Sequence, residues 1–383
     1  MRKWNAVTAA VLAAAVFAFP CKVQAISAEK AIVMDAVTGR VLFAQKAEER
    51  SLIASTTKIM TALIVCEQCN VLDRMRIPKE AVGIEGSSMY LKEGEVLTIQ
   101  ELLYGLMLSS GNDAAVALAI YCGGTVEGFA ELMNDKARIL GLRNTHFENP
   151  HGLDSPEHYS TARDLAVLAS YAMDNPIFYK TVSAKTVTVG ERHLRNHNKL
   201  LWQMEDADGV KTGFTKAAGR ILVSSATRDG RRIVAVTIND PNDWQDHCGL
   251  LEKGFSDFSV HQVVKQGDCV ASLEVAGGMQ GTVDIVAAEN FYYSLAEDEH
   301  PQLMLPGAGF VYSPVTEGAD AGFAYVLVQG KAVGKVPVVY GETVEKLEVK
   351  EPTFWEKLFG GPKNERTTAK DTVLPGCSFP PES

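Results

Sequence analysis

A serine and a lysine three residues apart, Ser55 and Lys58, stand at the start of an apolar segment that runs from Ile53 to Gln68. The change from small polar residues to an apolar run predicts a buried helix, and on a helix this spacing places two side chains on one face. A serine hydroxyl becomes a good nucleophile only when a base takes its proton. Because partial desolvation lowers the pKa of a lysine towards the neutral amine, Lys58 can be that base.

The same spacing also occurs at Ser27 and Lys30, so the pattern alone is weak. Ser27 and Lys30 lead into an alternating segment that predicts a strand. Ser55 instead leads into the most apolar predicted helix in the first half of the chain. This context favours Ser55 as a nucleophile, with a chance match as the alternative.

Two further motifs carry side chains that suit the same chemistry. Ser110-Gly111-Asn112 interrupts two predicted helices, where a hydroxyl can pass a proton and an amide can hold a peptide group. Lys211-Thr212-Gly213 ends a predicted strand, where a cation beside a hydroxyl suits a carboxylate and the glycine allows another backbone to come close. Taken singly, these motifs read as an ordinary helix cap and a surface strand.

Together and in this order, the three motifs resemble those of the penicillin-recognising serine enzymes, Ser-x-x-Lys, Ser-x-Asn and Lys-Thr-Gly. Longer stretches are similar to the low-molecular-mass penicillin-binding proteins that act as D-alanyl-D-alanine carboxypeptidases. These stretches are Ser109 to Ala114, Asn149 to Asp154, Tyr159 to Leu165 and Gly209 to Gly213. The resemblance is strong over residues 26–258 and weaker beyond them.

The resemblance implies a catalytic role for three side chains and a binding role for a fourth. Ser55 would attack the carbonyl between two D-alanines and form an acyl-enzyme, while Lys58 takes its proton. Ser110 would pass a proton to the leaving D-alanine nitrogen, and Asn112 would hold the acyl part of the substrate. Water would then release the shortened peptide, and neither a metal nor an organic cofactor is required.

The third motif is implied to bind the end of the substrate. Lys211 and Thr212 would bind the terminal carboxylate, with Gly213 beside them. The backbone N–H groups of Ser55 and Phe214 would form the oxyanion hole, where each donor contributes about 3 kcal/mol. The family often has tyrosine or histidine at the position of Phe214, but a backbone donor does not depend on that side chain.

Length and the resemblance together predict the fold. A chain of 383 residues can hold two domains of ordinary size. We expect an α/β (α+β) domain of the serine β-lactamase/transpeptidase-like class, with a central antiparallel sheet and flanking helices, over residues 26–258. A small all-β domain is expected over residues 259–348, because short alternating runs between Val270 and Tyr340 are cut by glycines. The net charge of −10, without a basic patch, argues against nucleic acid as a partner.

Periodicity and turn residues predict the elements that hold the motifs. Strands are predicted at Ala31–Asp35, Arg40–Ala44, Thr186–Val189, Val210–Gly213, Arg220–Thr227 and Arg231–Ile238. Further helices are predicted at Ile99–Met107, Ala114–Tyr121, Val126–Leu140, from the Ser160-Thr161 cap to Met173, and at Asp243–Phe258.

The N-terminal segment predicts a place of action outside the cytoplasm. Residues 1–25 have a basic start, an apolar run and a small-residue cleavage pattern, which predicts a signal peptide with Ile26 as the mature start. An uncleaved anchor and a lipoprotein at Cys21 are the alternatives. We therefore expect an exported, extracytoplasmic protein of the cell envelope.

Residues 349–383 are predicted to be a short amphipathic segment followed by a disordered tail. Within this segment one helical side is apolar and could make a weak membrane-surface contact, the alternative being packing on its own domain. Its residues are Phe354, Trp355, Leu358 and Phe359. The family's anchor is typically a longer basic amphipathic helix, so this segment departs from the family pattern.

Three other features have competing interpretations. Cys66 and Cys69 form C-x-x-C, which we interpret as core thiols, with a disulfide or a redox role as the alternative. Glu131, near Asn134, lacks the Leu-Asn pair of the deacylating β-lactamase motif and is interpreted as part of a solvated helix face. A β-lactamase of the same fold is thus the nearest rival, and the extra β domain argues against it. A catalytically inactive wall-binding protein is the second rival, although the motif side chains are intact.

Overall fold

The computed structural model describes residues 26–307 and 309–348. The helices are α1 Lys58–Gln68, α2 Ile99–Leu108, α3 Asn112–Gly123, α4 Val126–Ile139, α5 Ala162–Met173, α6 Pro176–Ser183, α7 Leu200–Gln203 and α8 Asp243–Ser256. Strands that precede or accompany them are β1 Lys30–Asp35, β2 Val41–Gln45, β3 Arg74–Arg76, β4 Val96–Thr98, β5 Thr186–Val189, β6 Arg192–Arg195, β7 Ala207–Thr215, β8 Gly219–Arg228 and β9 Arg231–Ile238. Strands after α8 are β10 Ser259–Val264, β11 Cys269–Ala276, β12 Thr282–Ala287, β13 Phe291–Leu295, β14 Pro301–Met304, β15 Phe310–Tyr312, β16 Asp320–Val328 and β17 Lys331–Tyr340.

A five-stranded antiparallel sheet with the order β2-β1-β9-β8-β7 forms the centre of the first part. Residues of β8 and β9 are buried on both faces, which explains their nearly continuous apolar sequence. The C-terminal helix α8 covers one face with Leu250 and Leu251. The other helices build the larger core on the opposite face. The predicted central antiparallel sheet with flanking helices is confirmed.

Helix α1 lies at the middle of the helical layer. Every residue from Lys58 to Cys66 is buried, so this helix is covered on all sides by α2, α3, α4, α5 and α6. The sequence predicted one helix over Ile53 to Gln68, but the first turn of that range is a separate 3₁₀ turn, Ala54–Thr57. Ser55 therefore lies just before the helix rather than within it.

The part after α8 is all-β, as predicted. Its larger sheet has six strands in the order β14-β16-β17-β12-β11-β15, and β10 pairs with β13. Strand β15 runs parallel to β11, a pairing that an alternating sequence does not predict. Helix α8 ends at Ser256 and β10 begins at Ser259; the exact division into residues 26–258 and 259–348 stays a prediction.

Short elements account for the main differences from expectation. Helix α6, strand β6 and helix α7 were not predicted, and β7 is longer than the predicted Val210–Gly213. Asn175 caps α6 through its side chain, and Pro176 occupies the first helical position, so a start signal was present for this helix. Helix α7 spans four residues, which is too short for a periodic pattern.

Some predictions concern residues outside the described ranges. These are the signal peptide of residues 1–25 and the apolar side formed by Phe354, Trp355, Leu358 and Phe359. Within residues 26–307 and 309–348, no single helix has the length and apolar character needed to cross a membrane. Helices α3 and α4 meet that criterion only as a pair bent by 81°.

Candidate active site

The Ser55 hydroxyl and the Lys58 amine are in direct contact. Ser55 Oγ and Lys58 Nζ are hydrogen-bonded at 2.9 Å. Lys58 is completely buried, whereas Ser55 is partly exposed. The 3₁₀ turn that holds Ser55 places residues three apart above one another, so the spacing read from the sequence brings these two groups together even without an α-helix at Ser55.

Two other neutral oxygens complete the surroundings of the Lys58 amine. Its Nζ donates to Asn112 Oδ1 at 2.7 Å and to the backbone carbonyl of His151 at 2.6 Å. Burial lowers the pKa of Lys58 well below its ordinary value, and the positive charge of Lys211 lowers it further, while Asp113 opposes the shift. Burial and these neutral partners therefore favour the uncharged form of the amine beside the Ser55 hydroxyl.

The loop that contains His151 fits closely against the Ser55 turn. Gly152 has φ +87°, and a Cβ atom there would lie 1.8 Å from the carbonyl oxygen of Ala54. Thr61 Oγ1 donates to the carbonyl of Pro150 at 2.7 Å, which ties the loop to α1. Only glycine allows this approach, and the approach is what brings the His151 carbonyl to Lys58.

The Ser110-Gly111-Asn112 motif forms the connection between α2 and α3. Ser110 has φ +59° and is 4% exposed. Asn112 is the first residue of α3, and its backbone N–H donates to the carbonyl of Ser87 at 2.7 Å. Its side-chain amide also donates to the carbonyl of Glu85. Asn112 thus connects Lys58 to the loop of residues 85–91.

Asp113 holds the same loop through its carboxylate. The backbone N–H groups of Met89 and Leu91 donate to it at 3.1 and 3.0 Å, and the hydroxyl of Ser88 donates at 2.6 Å. The sequence reading placed Asp113 within a family motif but assigned it no role. An aspartate in the first turn of a helix could have indicated a backbone-binding role.

Lys211 is buried in β7, at the edge of the central sheet nearest the Ser55 turn. It is 1% exposed, and its Nζ donates to the carbonyl of Thr212 at 2.9 Å. Burial lowers the pKa of Lys211 to about 7. At Gly213 a Cβ atom would lie 3.3 Å from the backbone nitrogen of Ser55, so this strand passes very close to the turn.

A cleft of about 320 Å³ opens over these groups. Its wall includes Ser55, Ser110, Thr212, Gly213 and Phe214. Phe214 is 65% exposed at the edge of this cleft. The structure thus brings together all of the motif residues that were predicted from sequence, with Lys58, Asn112 and Lys211 buried around the cleft.

The outer rim of the cleft consists of residues that the sequence did not single out. They include His197, Lys199, Arg220 and Trp244. Arg220 donates two hydrogen bonds from Nη2 to the carboxylate of Asp243, at 2.7 and 2.8 Å. This pairing fixes the guanidinium at the rim, but no motif in the sequence marks it.

The competing candidates lie elsewhere. The Ser27 hydroxyl oxygen lies 2.6 Å from an Asp240 oxygen and 2.8 Å from an Asp246 oxygen, so the first Ser-x-x-Lys match serves the packing of the N-terminal segment. Glu131 is exposed on α4 and does not line the cleft. Among the described residues, no group of three or more His, Cys, Asp or Glu side chains is arranged to hold a metal ion.

Models of known protein families match both parts of the chain. A family model described as D-alanyl-D-alanine carboxypeptidase, peptidase S11, matches residues 18–242. A second model, the C-terminal domain of penicillin-binding protein 5, matches residues 258–346.

Individual relatives are similar over most of their length. The chain is 30% identical over 339 residues to D-alanyl-D-alanine carboxypeptidase DacF of Bacillus subtilis, covering 83% of this chain and 86% of the relative. It is 33% identical over 345 residues to DacC of Escherichia coli, covering 82% and 84%. Penicillin-binding protein 5 from Haemophilus influenzae has a similar solved structure, with a TM-score of 0.73 and 30% identity over 84% of this chain and 98% of that one.

Proposed function

The chain belongs to the D-alanyl-D-alanine carboxypeptidase family of low-molecular-mass penicillin-binding proteins, and from that premise we propose that Ser55 is its nucleophile. Its activity is that of a serine-type D-alanyl-D-alanine carboxypeptidase, a hydrolase of peptidoglycan peptides. The contact between Ser55 Oγ and the buried amine of Lys58, at 2.9 Å, carries the assignment of the nucleophile.

Acylation begins with proton transfer from Ser55 to Lys58. The amine accepts the proton because its buried site, with only neutral hydrogen-bond acceptors, keeps it uncharged. Ser55 Oγ then attacks the carbonyl carbon of the penultimate D-alanine. The backbone N–H groups of Ser55 and Phe214 stabilise the oxyanion, since β7 passes close to the Ser55 turn.

The leaving D-alanine needs a proton at its nitrogen. Ser110 lies in the cleft wall with Ser55 and delivers this proton from its hydroxyl. Asn112, already bound to Lys58, orients the acyl part of the substrate through its amide. Water attacks the acyl-enzyme in the second half-reaction, with Lys58 again as the base.

The terminal carboxylate of the substrate binds on the β7 side of the cleft. Thr212 offers its hydroxyl, Lys211 supplies positive charge from the interior, and Gly213 allows the peptide backbone to approach. A bound carboxylate raises the pKa of the Lys211 amine from about 7, so binding keeps this lysine protonated. Positive Lys211 in turn keeps Lys58 neutral.

The substrate class is a peptidoglycan stem that ends in D-Ala-D-Ala, and β-lactams are covalent inhibitors that acylate the same serine. The protein acts outside the cytoplasm, in the cell envelope. We assign export to a signal peptide in residues 1–25, and a weak membrane-surface contact to Phe354, Trp355, Leu358 and Phe359. Loss of vesicle co-sedimentation in a Trp355→Ala, Phe359→Ala variant would support this contact, and unchanged co-sedimentation would contradict it.

Release of D-alanine from a diacyl-D-Ala-D-Ala peptide tests the function, with penicillin hydrolysis measured in parallel. We expect D-alanine release by the native protein, its loss in Ser55→Ala and Lys58→Met, and only slow turnover of penicillin. Rapid multiple turnover of penicillin would instead identify a β-lactamase. No release by a folded native protein would favour the inactive wall-binding alternative.

A further inference from the structure

Two thiols from different helices meet on the side of α1 that is remote from the cleft. Cys69 follows the last residue of α1, and Cys122 lies in the last turn of α3. The two thiols influence each other: the pKa of Cys69 is raised, first by its interaction with Cys122, and the pKa of Cys122 is lowered by the same interaction. Cys122 Sγ also lies 3.6 Å from Oε1 of Gln68, the residue before Cys69. Both cysteines are free thiols and are partly exposed.

The position of this pair relates it to the active site. Helices α1 and α3 both begin at the cleft, where Lys58 of α1 is hydrogen-bonded to Asn112 of α3 at 2.7 Å. Cys69 and Cys122 lie at the opposite ends of these two helices, Cys69 just after α1 and Cys122 in the last turn of α3. A covalent bond between these thiols would therefore fix the far ends of the two helices whose first residues form the base and its amide partner.

We propose that Cys69 and Cys122 are a disulfide-forming pair that clamps α1 to α3. The proposal rests on the extracytoplasmic location given above, because disulfides persist in oxidising compartments. Neither thiol takes part in the proposed catalytic chemistry. The pair is thus a modification site separate from Ser55, and its chemistry requires an external disulfide donor such as an oxidised dithiol protein or oxidised glutathione.

The reaction is a thiol–disulfide exchange in two steps. The interaction with Cys69 lowers the pKa of the Cys122 thiol and raises that of Cys69, so Cys122 loses its proton more readily. As a thiolate, Cys122 attacks a sulfur of the donor and releases one donor thiolate. Cys69 then loses its proton and attacks Cys122 Sγ in the mixed disulfide, which releases the second donor thiol. The two protein thiols are oxidised, and one donor disulfide is reduced to two thiols.

The sequence suggested another partner for Cys69, because Cys66 and Cys69 form C-x-x-C. Cys66 is 7% exposed, and burial raises the pKa of its thiol to about 12. A buried thiol of this kind is a poor nucleophile and is difficult for a donor to reach. The structure therefore favours Cys122 over Cys66 as the partner.

Peptide mapping of the full mature chain tests the pairing. The protein would be equilibrated with a mixture of oxidised and reduced glutathione, alkylated without reduction, digested and analysed by mass spectrometry. We expect a cross-linked peptide that joins Cys69 to Cys122. Free alkylated thiols at both positions, or a Cys66–Cys69 bond, would overturn the proposal.

Thermal unfolding provides the second readout. Oxidation should raise the Tm of the native protein by about 5–10 °C, because the bond closes a long loop between the helices. Cys69→Ser and Cys122→Ser should abolish the difference between oxidised and reduced protein. Cys66→Ala and Cys248→Ser are the matched controls and should retain it; loss of the difference in these controls alone would contradict the pairing.

Labelling with penicillin separates this proposal from the proposed function. Cys69→Ser and Cys122→Ser should still be acylated at Ser55 at 25 °C at a rate within about twofold of that of the native reduced protein, because no catalytic group is changed. A failure of acylation in every form, native included, would count against the function while leaving the mapped disulfide intact.

Discussion

At the scale of single residues, the basicity of the Lys58 amine depends on the groups that surround it. Its three hydrogen-bond partners are the Ser55 hydroxyl, an amide oxygen and a backbone carbonyl, and none of them is a carboxylate. The charge of Asp113 raises the pKa of Lys58, but the Asp113 carboxylate is bound by N–H and hydroxyl groups of the 85–91 loop. These surroundings therefore lower the pKa of the Lys58 amine and favour its neutral form.

The depressed pKa values of the two buried lysines predict a bell-shaped pH profile of kcat/KM. The acidic limb arises as Lys58 becomes protonated and can no longer accept a proton. As pH rises through about 7, the free enzyme loses the Lys211 ammonium that binds the substrate carboxylate. A peptide amidated at its C-terminus should therefore lose most of the alkaline limb, and an unchanged alkaline limb would contradict the role of Lys211.

Replacement of Lys211 by methionine should separate activity from stability. The change Lys211→Met should lower kcat/KM for carboxypeptidase substrates by about 2–3 kcal/mol, a loss of roughly 30- to 150-fold, because a charged hydrogen bond is removed. Its Tm should rise, most clearly below pH 7. Unchanged kinetics would show that the carboxylate binds elsewhere.

The sign of the stability effect follows from the direction of the pKa shift. The pKa of Lys211 is lower in the folded protein, about 7 against an ordinary 10.5, so protonating it below pH 7 disfavours the folded state. This penalty decreases as pH rises from about 7 to 10.5. Lys211→Met removes the penalty, and a lower Tm of the variant at pH 6 would contradict the account.

Residue types in the sequence were sufficient to find the side chains of the site, but not its backbone groups. The hydroxyl, amine and amide of the three motifs can be read from their chemistry and spacing. The His151 carbonyl cannot, because every residue has one and only the fold determines which carbonyl reaches Lys58. Cys69 was likewise assigned to the core, whereas its contact with Cys122 depends on how α3 packs against α1.

At the scale of elements, the Ser55 turn is shaped by two neighbours. The loop of residues 149–154 presses on it from one side and β7 from the other, at Gly152 and Gly213 respectively. These contacts hold a 3₁₀ turn where propensity alone predicts the start of an α-helix. Tertiary packing determines the conformation of this turn, so the local sequence pattern predicted an α-helical first turn incorrectly.

Gly152→Ala should distort the active site, although residue 152 carries no catalytic group. Its Cβ would meet the Ala54 carbonyl oxygen at 1.8 Å in a backbone conformation with φ +87°, so the loop or the Ser55 turn must move. We expect the rate of penicillin acylation to fall at least tenfold and the free energy of unfolding to fall by about 2–4 kcal/mol. Stopped-flow labelling and urea unfolding measure the two effects.

A matched control for this change is Gly141→Ala. Gly141 also has positive φ, +70°, but nothing lies within 4 Å of its Cβ position. Only the conformational cost of about 1 kcal/mol should appear, with acylation unchanged. Equal effects of the two substitutions on acylation would show that the close contact between Gly152 and the Ser55 turn is not required for the active site.

At the scale of the whole molecule, the first part and the β-rich part are joined by an ion pair, Arg40–Glu299, and by a hydrogen bond from Ser294 to the buried Asp35–Arg231 pair. Asp35 is fully buried and accepts hydrogen bonds from Arg231 and Ser294, both at 2.7 Å. Arg40 pairs with Glu299 through both guanidinium nitrogens. Ser294 and Glu299 belong to the β-rich part, so the two parts of the chain share these networks. Nothing in the sequence indicates such long-range pairs.

Arg231→Met should strongly destabilise the protein, because it leaves the Asp35 carboxylate buried without its cation. The expected loss is about 3–5 kcal/mol in the free energy of unfolding. Arg138→Met, which removes an exposed pair with Asp135, is the control and should change it by less than about 0.5 kcal/mol. Similar losses in the two variants, measured by urea unfolding, would contradict the importance of the shared network.

Acidification should weaken the network around Asp35 and lower the stability of the protein. Burial alone would raise the pKa of the Asp35 carboxyl, but hydrogen bonds from Ser294 and Arg231 hold it below its ordinary value. Its contribution to stability is therefore present above pH 3.8, the ordinary pKa, and is lost as the pH falls through the lower folded value.

The sheet and the helical layer bring residues 55, 110 and 211 to one cleft, and this convergence is the central claim. Mass spectrometry of the protein after reaction with benzylpenicillin tests it most directly. We expect one adduct with the full mass of the drug, on the peptide that contains Ser55, and none in Ser55→Ala. An adduct on another serine, or no covalent adduct on a folded protein, would contradict it.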